Sequence, residues 1–230
     1  IGRLVGSEMC IRDSLKAKAI PIKQAFFHVD LMRNFGYLAF YEDNYAAAVE
    51  AFTDAFQHAQ QEQVRLGVVL SGIDLCRALA HCGRADEALP RLPLIRRAVG
   101  LYSGLWPALV DLVEAELRLS LDQPDAAAAL LAQCRPVIAP TGRMEVWSMH
   151  ALHACVAARQ GDHDAAAESL AYLSDNPQSI GTMYRLTSWL EDAAAALGDH
   201  PLAAQAAALA EQYRACLLYT SDAADEHSWG

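Results

Sequence analysis

Apolar residues recur along most of this chain at steps of three and four, and no stretch alternates apolar with polar positions over a useful length. The first period belongs to helices, whereas alternation would mark strands. The run VVLSGIDLCRALAHC shows it well. Val69, Ile73, Cys76 and Ala80 share one side of a helical wheel, with Leu75 and Leu79 beside them. The pattern predicts an all-α fold.

Punctuation of that pattern is regular. A turn rich in Gly, Asp or Asn precedes a helix with alanine near its start and an apolar residue four positions later. It occurs as EDNYAAAVEAF (42–52), CGRADEALPRL (82–92), LDQPDAAAALL (121–131), QGDHDAAAESL (160–170) and LGDHPLAAQAA (197–207). Aligned on Ala48, Ala88, Ala127, Ala166 and Ala203, the copies lie 40, 39, 39 and 37 residues apart. Such a period marks a repeat array. Each copy reads as a first helix, a tight turn and a second helix, and the first helices are expected at 24–41, 66–81, 106–121, 146–159 and 182–197. Gly83, Gly161 and Gly198 stand where the first helix ends and a left-handed backbone is favoured. Asp162 and Asp199 are candidate N-caps, and Pro124 and Pro201 suit the first helical position. Phe52, Leu92, Leu131 and Leu170 lie four residues beyond their alanines and share that face. Linkers are expected at 93–106, 136–143 and 174–181. Trp106, Trp147 and Trp189 fall near the beginnings of first helices and are expected to be structural anchors.

This pattern resembles the tetratricopeptide repeat family. In the first copy Gly36 stands at the small-residue position, Tyr45 at the turn aromatic, and Ala48, Phe52 and Ala55 at the second-helix signature. The matching residues are Cys76, Ala85, Ala88, Leu92 and Ile95 in the second copy, and Ala154, His163, Ala166, Leu170 and Leu173 in the fourth. The third copy departs at Arg118, and the fifth at Glu191 and Ala207. The spacing exceeds the family's usual ~34 residues. In this it is similar to the helical sensor regions of LuxR-type and maltose-regulator-type bacterial transcription regulators. The resemblance implies a right-handed α-solenoid of five helical hairpins, with first helices lining a concave groove.

Both ends of the chain stand apart. LVGSEMCIRDS (4–14) and CLLYTSDAADE (216–226) resemble translated adapter sequence from DNA library preparation. A codon set for residues 8–14 has a reverse complement that, in another frame, encodes Cys216 to Thr220. The expected organisation is an adapter-derived tail over 1–14, a repeat domain over 15–215 belonging to a longer protein, and a second such tail over 216–230.

The chain carries 18 Lys and Arg against 28 Asp and Glu, a formal charge of −10. Setting the tails aside leaves the balance acidic, which disfavours direct nucleic-acid binding. Of six cysteines, Cys76, Cys82, Cys134 and Cys155 remain; none forms a CxxC pair. Free thiols packed as small apolar residues, in a reducing cytoplasm, are the expectation. No apolar run reaches the length of a membrane span.

By the family resemblance, Asp30, Arg33, Tyr37, Phe40 and Tyr41 would face the groove in the first copy, and Leu70, Ile73, Arg77, Ala80 and His81 in the second. Arg33, Tyr37, Phe40, Tyr41, Ile73, Arg77 and His81 are the candidate binding residues. Aromatics and arginine combine apolar area with directional polar groups. The competing expectation is that Phe40 and Tyr41 plug the joint between copies. His150, His153, Cys155 and His163 invite a zinc reading, yet the first three do not project one way from a helix. Glu114 and Arg118, four apart, suit an ion pair better than catalysis. No nucleophile elbow, phosphate loop or HExxH occurs. No metal, cofactor or catalytic residue is expected. The expected role is a non-catalytic scaffold docking a protein or peptide, beside adjoining domains of a bacterial signalling or regulatory protein. A small-molecule inducer sensor is the alternative.

Overall fold

The computed structural model describes the backbone of residues 22–226 other than 43, 101, 103 and 177–182. It describes side chains over 24–214, apart from those residues, 41 and 183–186. All regular structure among the described residues is helical, and none of these helices is long and apolar enough to cross a membrane. The chain divides into two compact units, Ile1–Leu101 and Tyr102–Gly230.

The first unit contains α1 (Ile22–Tyr41), α2 (Tyr45–Gln61), α3 (Arg65–His81), the single turn α4 (Ala85–Ala88), a 3₁₀ segment (Leu89–Arg91) and α5 (Leu92–Val99). Within it α1 packs on α2, α2 on α3, and α3 on α4 and α5, while α1 also meets α3. The second unit contains α6 (Leu105–Ser120), α7 (Pro124–Ile138), α8 (Glu145–Gln160), α9 (His163–Asp175), α10 (Met183–Leu197) and α11 (Pro201–Glu226). Here consecutive helices pair as α6–α7, α7–α8, α8–α9 and α10–α11. Alternate helices also touch, α8 with α6 and α10, and α9 with α11.

Small residues sit where helices cross. Ala48, Ala88, Ala127 and Ala166 are fully buried. A Cβ on Gly36 would lie 2.6 Å from Phe52 Cδ1, so α1 and α2 approach as closely as they do because position 36 has no side chain. Gly72 plays the same part in α3, where a Cβ would meet Ile95 Cγ1 at 2.7 Å. The turns repeat as well. Gly83, Asp122, Gly161 and Gly198 all have positive φ, and each lies five residues before an aligned alanine. Asp122, at φ +56°, holds in the third copy the left-handed place that glycine takes elsewhere; aspartate is one of the few residues that tolerate it.

Several boundaries differ from expectation. The second helix of the second copy is broken, because Pro90 has no N–H to donate into the preceding turn. Pro93 stands in the first turn of α5, where its missing donor costs nothing, and Pro136 lies inside α7. The expected linkers over 93–106 and 136–143 are therefore shorter than their prolines suggested. Asp162 does cap α9, its Oδ1 accepting the Ala165 N–H at 3.0 Å. At the start of α11, however, His200 Nδ1 and not Asp199 accepts the Leu202 N–H, at 3.3 Å.

On the last helix Leu209 and Tyr213 are buried and Leu202 is half-buried, and the Tyr213 hydroxyl donates to the Leu173 carbonyl at 3.4 Å. The outward positions of α11 hold Ala204, Ala207, Ala208, Glu211 and Gln212, which are small or polar. The helix backbone continues through 217–219 to Glu226. Met9 and Cys10 lie outside the described residues.

Candidate functional site

Most candidate binding residues lie on α1 and α3, the two first helices of unit one. Arg33 and Tyr37 are one turn apart on α1, and Asp74 reaches them from α3. Arg33 Nε donates to Asp74 Oδ2 at 2.8 Å, Nη1 to Asp30 Oδ1 at 2.8 Å, and Nη2 to the Tyr37 hydroxyl at 3.0 Å. That hydroxyl in turn donates to Asp74 Oδ1 at 2.8 Å. Arg33, Tyr37 and Asp74 thus form a closed ring of charge-assisted bonds, and Asp30 is attached to it through Arg33. Burial alone would pull the Arg33 guanidinium down, but the charge of Asp74 beside it, with Tyr37 and Asp30, carries it above its ordinary value.

The ring is anchored inside and open at one edge. Arg33 is 9% exposed and Asp74 4%, whereas the Asp30 side chain keeps 47% of its surface. The Tyr37 ring meets Phe52 edge-on at 5.4 Å, which ties the polar centre to the same side chain that fills the notch at Gly36.

One and two turns further along, Phe40 meets Tyr45 and His81 edge-on at 5.1 and 5.0 Å, and the Tyr45 and His81 rings stack at 5.2 Å. Phe40 is buried at the centre of this cluster, as the joint-plug expectation had it; Tyr45 and His81 are half-buried. The candidate binding residues therefore fall into different clusters, with Arg33 and Tyr37 in the polar ring and Phe40 and His81 among the aromatics. Ile73 and Arg77 are buried, whereas Asp30, Tyr37, Leu70, Ala80 and His81 of the expected groove residues, with Tyr45 beside them, are half-buried. The Tyr41 side chain lies outside the described residues. Asp74 was not among the candidates. The signal for it was present, since one acid in the apolar run 67–80 has to find a buried partner.

The second unit holds another polar cluster, between α8 and α9. His153 Nδ1 lies 2.8 Å and His150 Nδ1 3.5 Å from the one hydroxyl of Ser169, which is fully buried. His150 stacks on Tyr172 at 3.9 Å with 13° between the ring planes. Burial, with Arg135 and His153 nearby, lowers the His150 pKa to about 4, and burial with Arg135 lowers that of His153. His150 is buried against Tyr172, and the half-buried His153 also turns its Nδ1 inward to Ser169. His163 pairs with His200, their ring centroids 4.0 Å apart. Among the described residues no three His, Cys, Asp or Glu side chains are placed to hold a metal ion.

The remaining candidates occupy ordinary structural places. Trp147 Nε1 donates to the Asn176 carbonyl at 2.6 Å, and Trp147 and Trp189 are buried. Arg118 pairs with Glu114 at 3.0 Å. Comparison of the chain with protein-family models, with curated proteins and with solved structures gives no match.

Proposed function

We propose that the chain is a non-catalytic scaffold of tetratricopeptide-like hairpins, stacked as an α-solenoid, that docks a protein segment along the face formed by α1 and α3. The observation that carries this reading is the recurrence of one local design. Four left-handed residues stand five positions before four aligned alanines, and three of those alanines, with Ala48 of the first copy, are fully buried. In such arrays the first helices present the binding surface.

The surface offers two kinds of contact in one strip. Asp30 and the Tyr37 hydroxyl supply polar groups already oriented by Arg33, so little entropy is lost when a ligand meets them. Tyr45 and His81 supply a half-exposed aromatic platform held by Phe40. From Asp30 to Phe40 the helix rises about 15 Å, enough for four or five residues of extended peptide. A segment with a cationic or amide donor at one end and an apolar side chain at the other fits this strip.

Selection from a short-peptide display library on the full chain tests the reading. A common motif should emerge, and its binding should fall at least tenfold with Asp30→Ala or His81→Ala. Enrichment that is indifferent to both substitutions would place binding elsewhere; no enrichment at all would count against a peptide groove.

A further inference from the structure

α1 is apolar on two opposite faces. Ala25, Val29, Gly36 and Phe40 make the inner one and are buried. On the other side Phe27, Leu31, Asn34 and Leu38 fall within about 60° of one another on the helical wheel. Phe27 is 63% and Leu38 57% exposed, and Leu31 is half-exposed. A first helix that capped a repeat array would carry a polar face here.

Repeat register identifies what occupies this face elsewhere in the chain. The 40-residue step from Ala48 to Ala88 carries positions 27, 31, 34 and 38 of α1 onto Gly67, Ser71, Asp74 and Ala78 of α3, all of them buried. Two of these meet the hairpin that precedes α3. A Cβ on Gly67 would lie 3.1 Å from Ala59 of α2, and 3.2 Å from both Val29 of α1 and Val64 in the turn after α2. Asp74 takes Arg33 and Tyr37 from α1. In the second unit the step from Ala48 to Ala166 places Met149, Leu152 and Val156 of α8 at the last three positions. They are buried too, and α8 packs on both helices of its preceding hairpin, α6 and α7.

The geometry points to the outer face of α1 as the seat of one more helical hairpin, joined ahead of it in the same register, with smaller contact side chains than those of α1 and α2. Phe27 stands where Gly67 stands, and Gly67 already leaves almost no room against Val29, Ala59 and Val64. A plain copy of α1 and α2 set on α1 would therefore clash with the Phe27 ring. The occupant carries glycine or alanine at all three places. Asn34 stands where Asp74 stands and has no charge to offer. An arginine in the place of Arg33 would be buried there without a counter-charge, so that position of the occupant is neutral. The inference rests on the stacked-hairpin part of the function proposed above and is independent of any ligand on the α1–α3 face.

Extended chains provide the test. In each, a copy of residues 22–64 is joined directly ahead of Ala25, since Val64 to Arg65 is the step that corresponds to Gln24 to Ala25 in the repeat. Val29, Arg33, Tyr37, Ala59 and Val64 of the added copy are randomised, and members are selected for resistance to proteolysis. Those selected should carry glycine or alanine at 29, 59 and 64 and a neutral residue at 33. Their thermal midpoint should exceed that of the unextended chain by roughly 5 °C or more. The unaltered copy should give no gain. Phe27→Glu with Leu38→Glu should abolish the gain, yet leave the helical circular dichroism of the unextended chain unchanged. Stabilisation by the unaltered copy overturns the inference, as does the absence of any stabilised member or a gain that survives both glutamates. Failure of the stacked-hairpin reading itself would show differently, as additivity in the Arg33 and Asp74 cycle below.

Discussion

Arg33 and Asp74 stand 41 residues apart in sequence, and Arg33 Nε lies 2.8 Å from Asp74 Oδ2 in the interior of the first unit. The pair joins α1 directly to α3, past the helix between them. Removing one member strands the other charge, whereas removing both does not. Asp74→Leu should therefore cost about 3 kcal/mol of unfolding free energy, as should Arg33→Met, and the double Arg33→Met with Asp74→Leu much less than the sum of the two. Urea unfolding of the singles and the double closes the cycle. An additive double would mean that the two residues act independently.

Gly36→Ala should destabilise, although alanine is the better helix former by about 1 kcal/mol. The added methyl meets Phe52, and overpacking of this kind costs about 1–3 kcal/mol. Adding Phe52→Leu should recover part of the loss, which thermal unfolding would show. Stabilisation by Gly36→Ala alone would mean that α1 and α2 do not cross at this point.

Between pH 6.5 and 4 the second unit should weaken as acid is added. The unfolded His150 takes a proton near pH 6.5, while the folded one resists until about pH 4. The unfolded state binds more protons throughout that window, so stability rises with pH across it and is level below it. The groups facing the imidazole leave no relief. His153 shares the Ser169 hydroxyl, Tyr172 stacks on the ring, Arg135 is cationic, and only Glu168, paired with Arg135 at 2.5 Å, opposes it. One hydroxyl can donate to just one of the two Nδ1 atoms, so protonating both rings turns it from donor to acceptor and brings two cations onto the same buried oxygen. The loss should be on the order of 2 kcal/mol. It would be read as urea midpoints from pH 4 to 8, and His150→Gln should flatten the slope. An equal slope in that variant would assign the effect to other groups.

Asp162→Ala and Asp199→Ala should differ, although both acids precede a helix in similar words of sequence. The first removes a side-chain cap on α9 and should cost about 1 kcal/mol. The second should cost almost nothing, since His200 holds the N–H at the start of α11. A shift in thermal midpoint for Asp199→Ala as large as that for Asp162→Ala would overturn the assignment.

The helices were legible because their signals are local. First helices expected at 66–81 and 146–159 are found at 65–81 and 145–160, since the glycine turn and the apolar period both act within a few residues. Pro90 shows where local reading failed. Pro90 follows the single turn Ala85–Ala88 and separates it from α5, whereas Pro136 lies within α7 without breaking it, a difference that the proline alone does not announce. The site was less legible still. Arg33 and Tyr37 were identified one by one, but the acid that organises them comes from another helix, and nothing within α1 announces it. Ser169 was missed for the same reason. A serine in an alanine-rich helix looks neutral until two imidazoles from α8 are seen to converge on it.

The buried thiols have a use that packing alone does not suggest. Cys76 lies in the core of one unit, Cys134 and Cys155 in that of the other, and burial pushes the latter two up to about 12. Only the thiolate reacts, so these sulfurs are silent while the helices around them stay closed. Each becomes modifiable when its own unit opens. With Cys10, Cys82 and Cys216 replaced by serine, the rate of thiol capture would time the opening of each half of the chain from within, using clocks the sequence already carries.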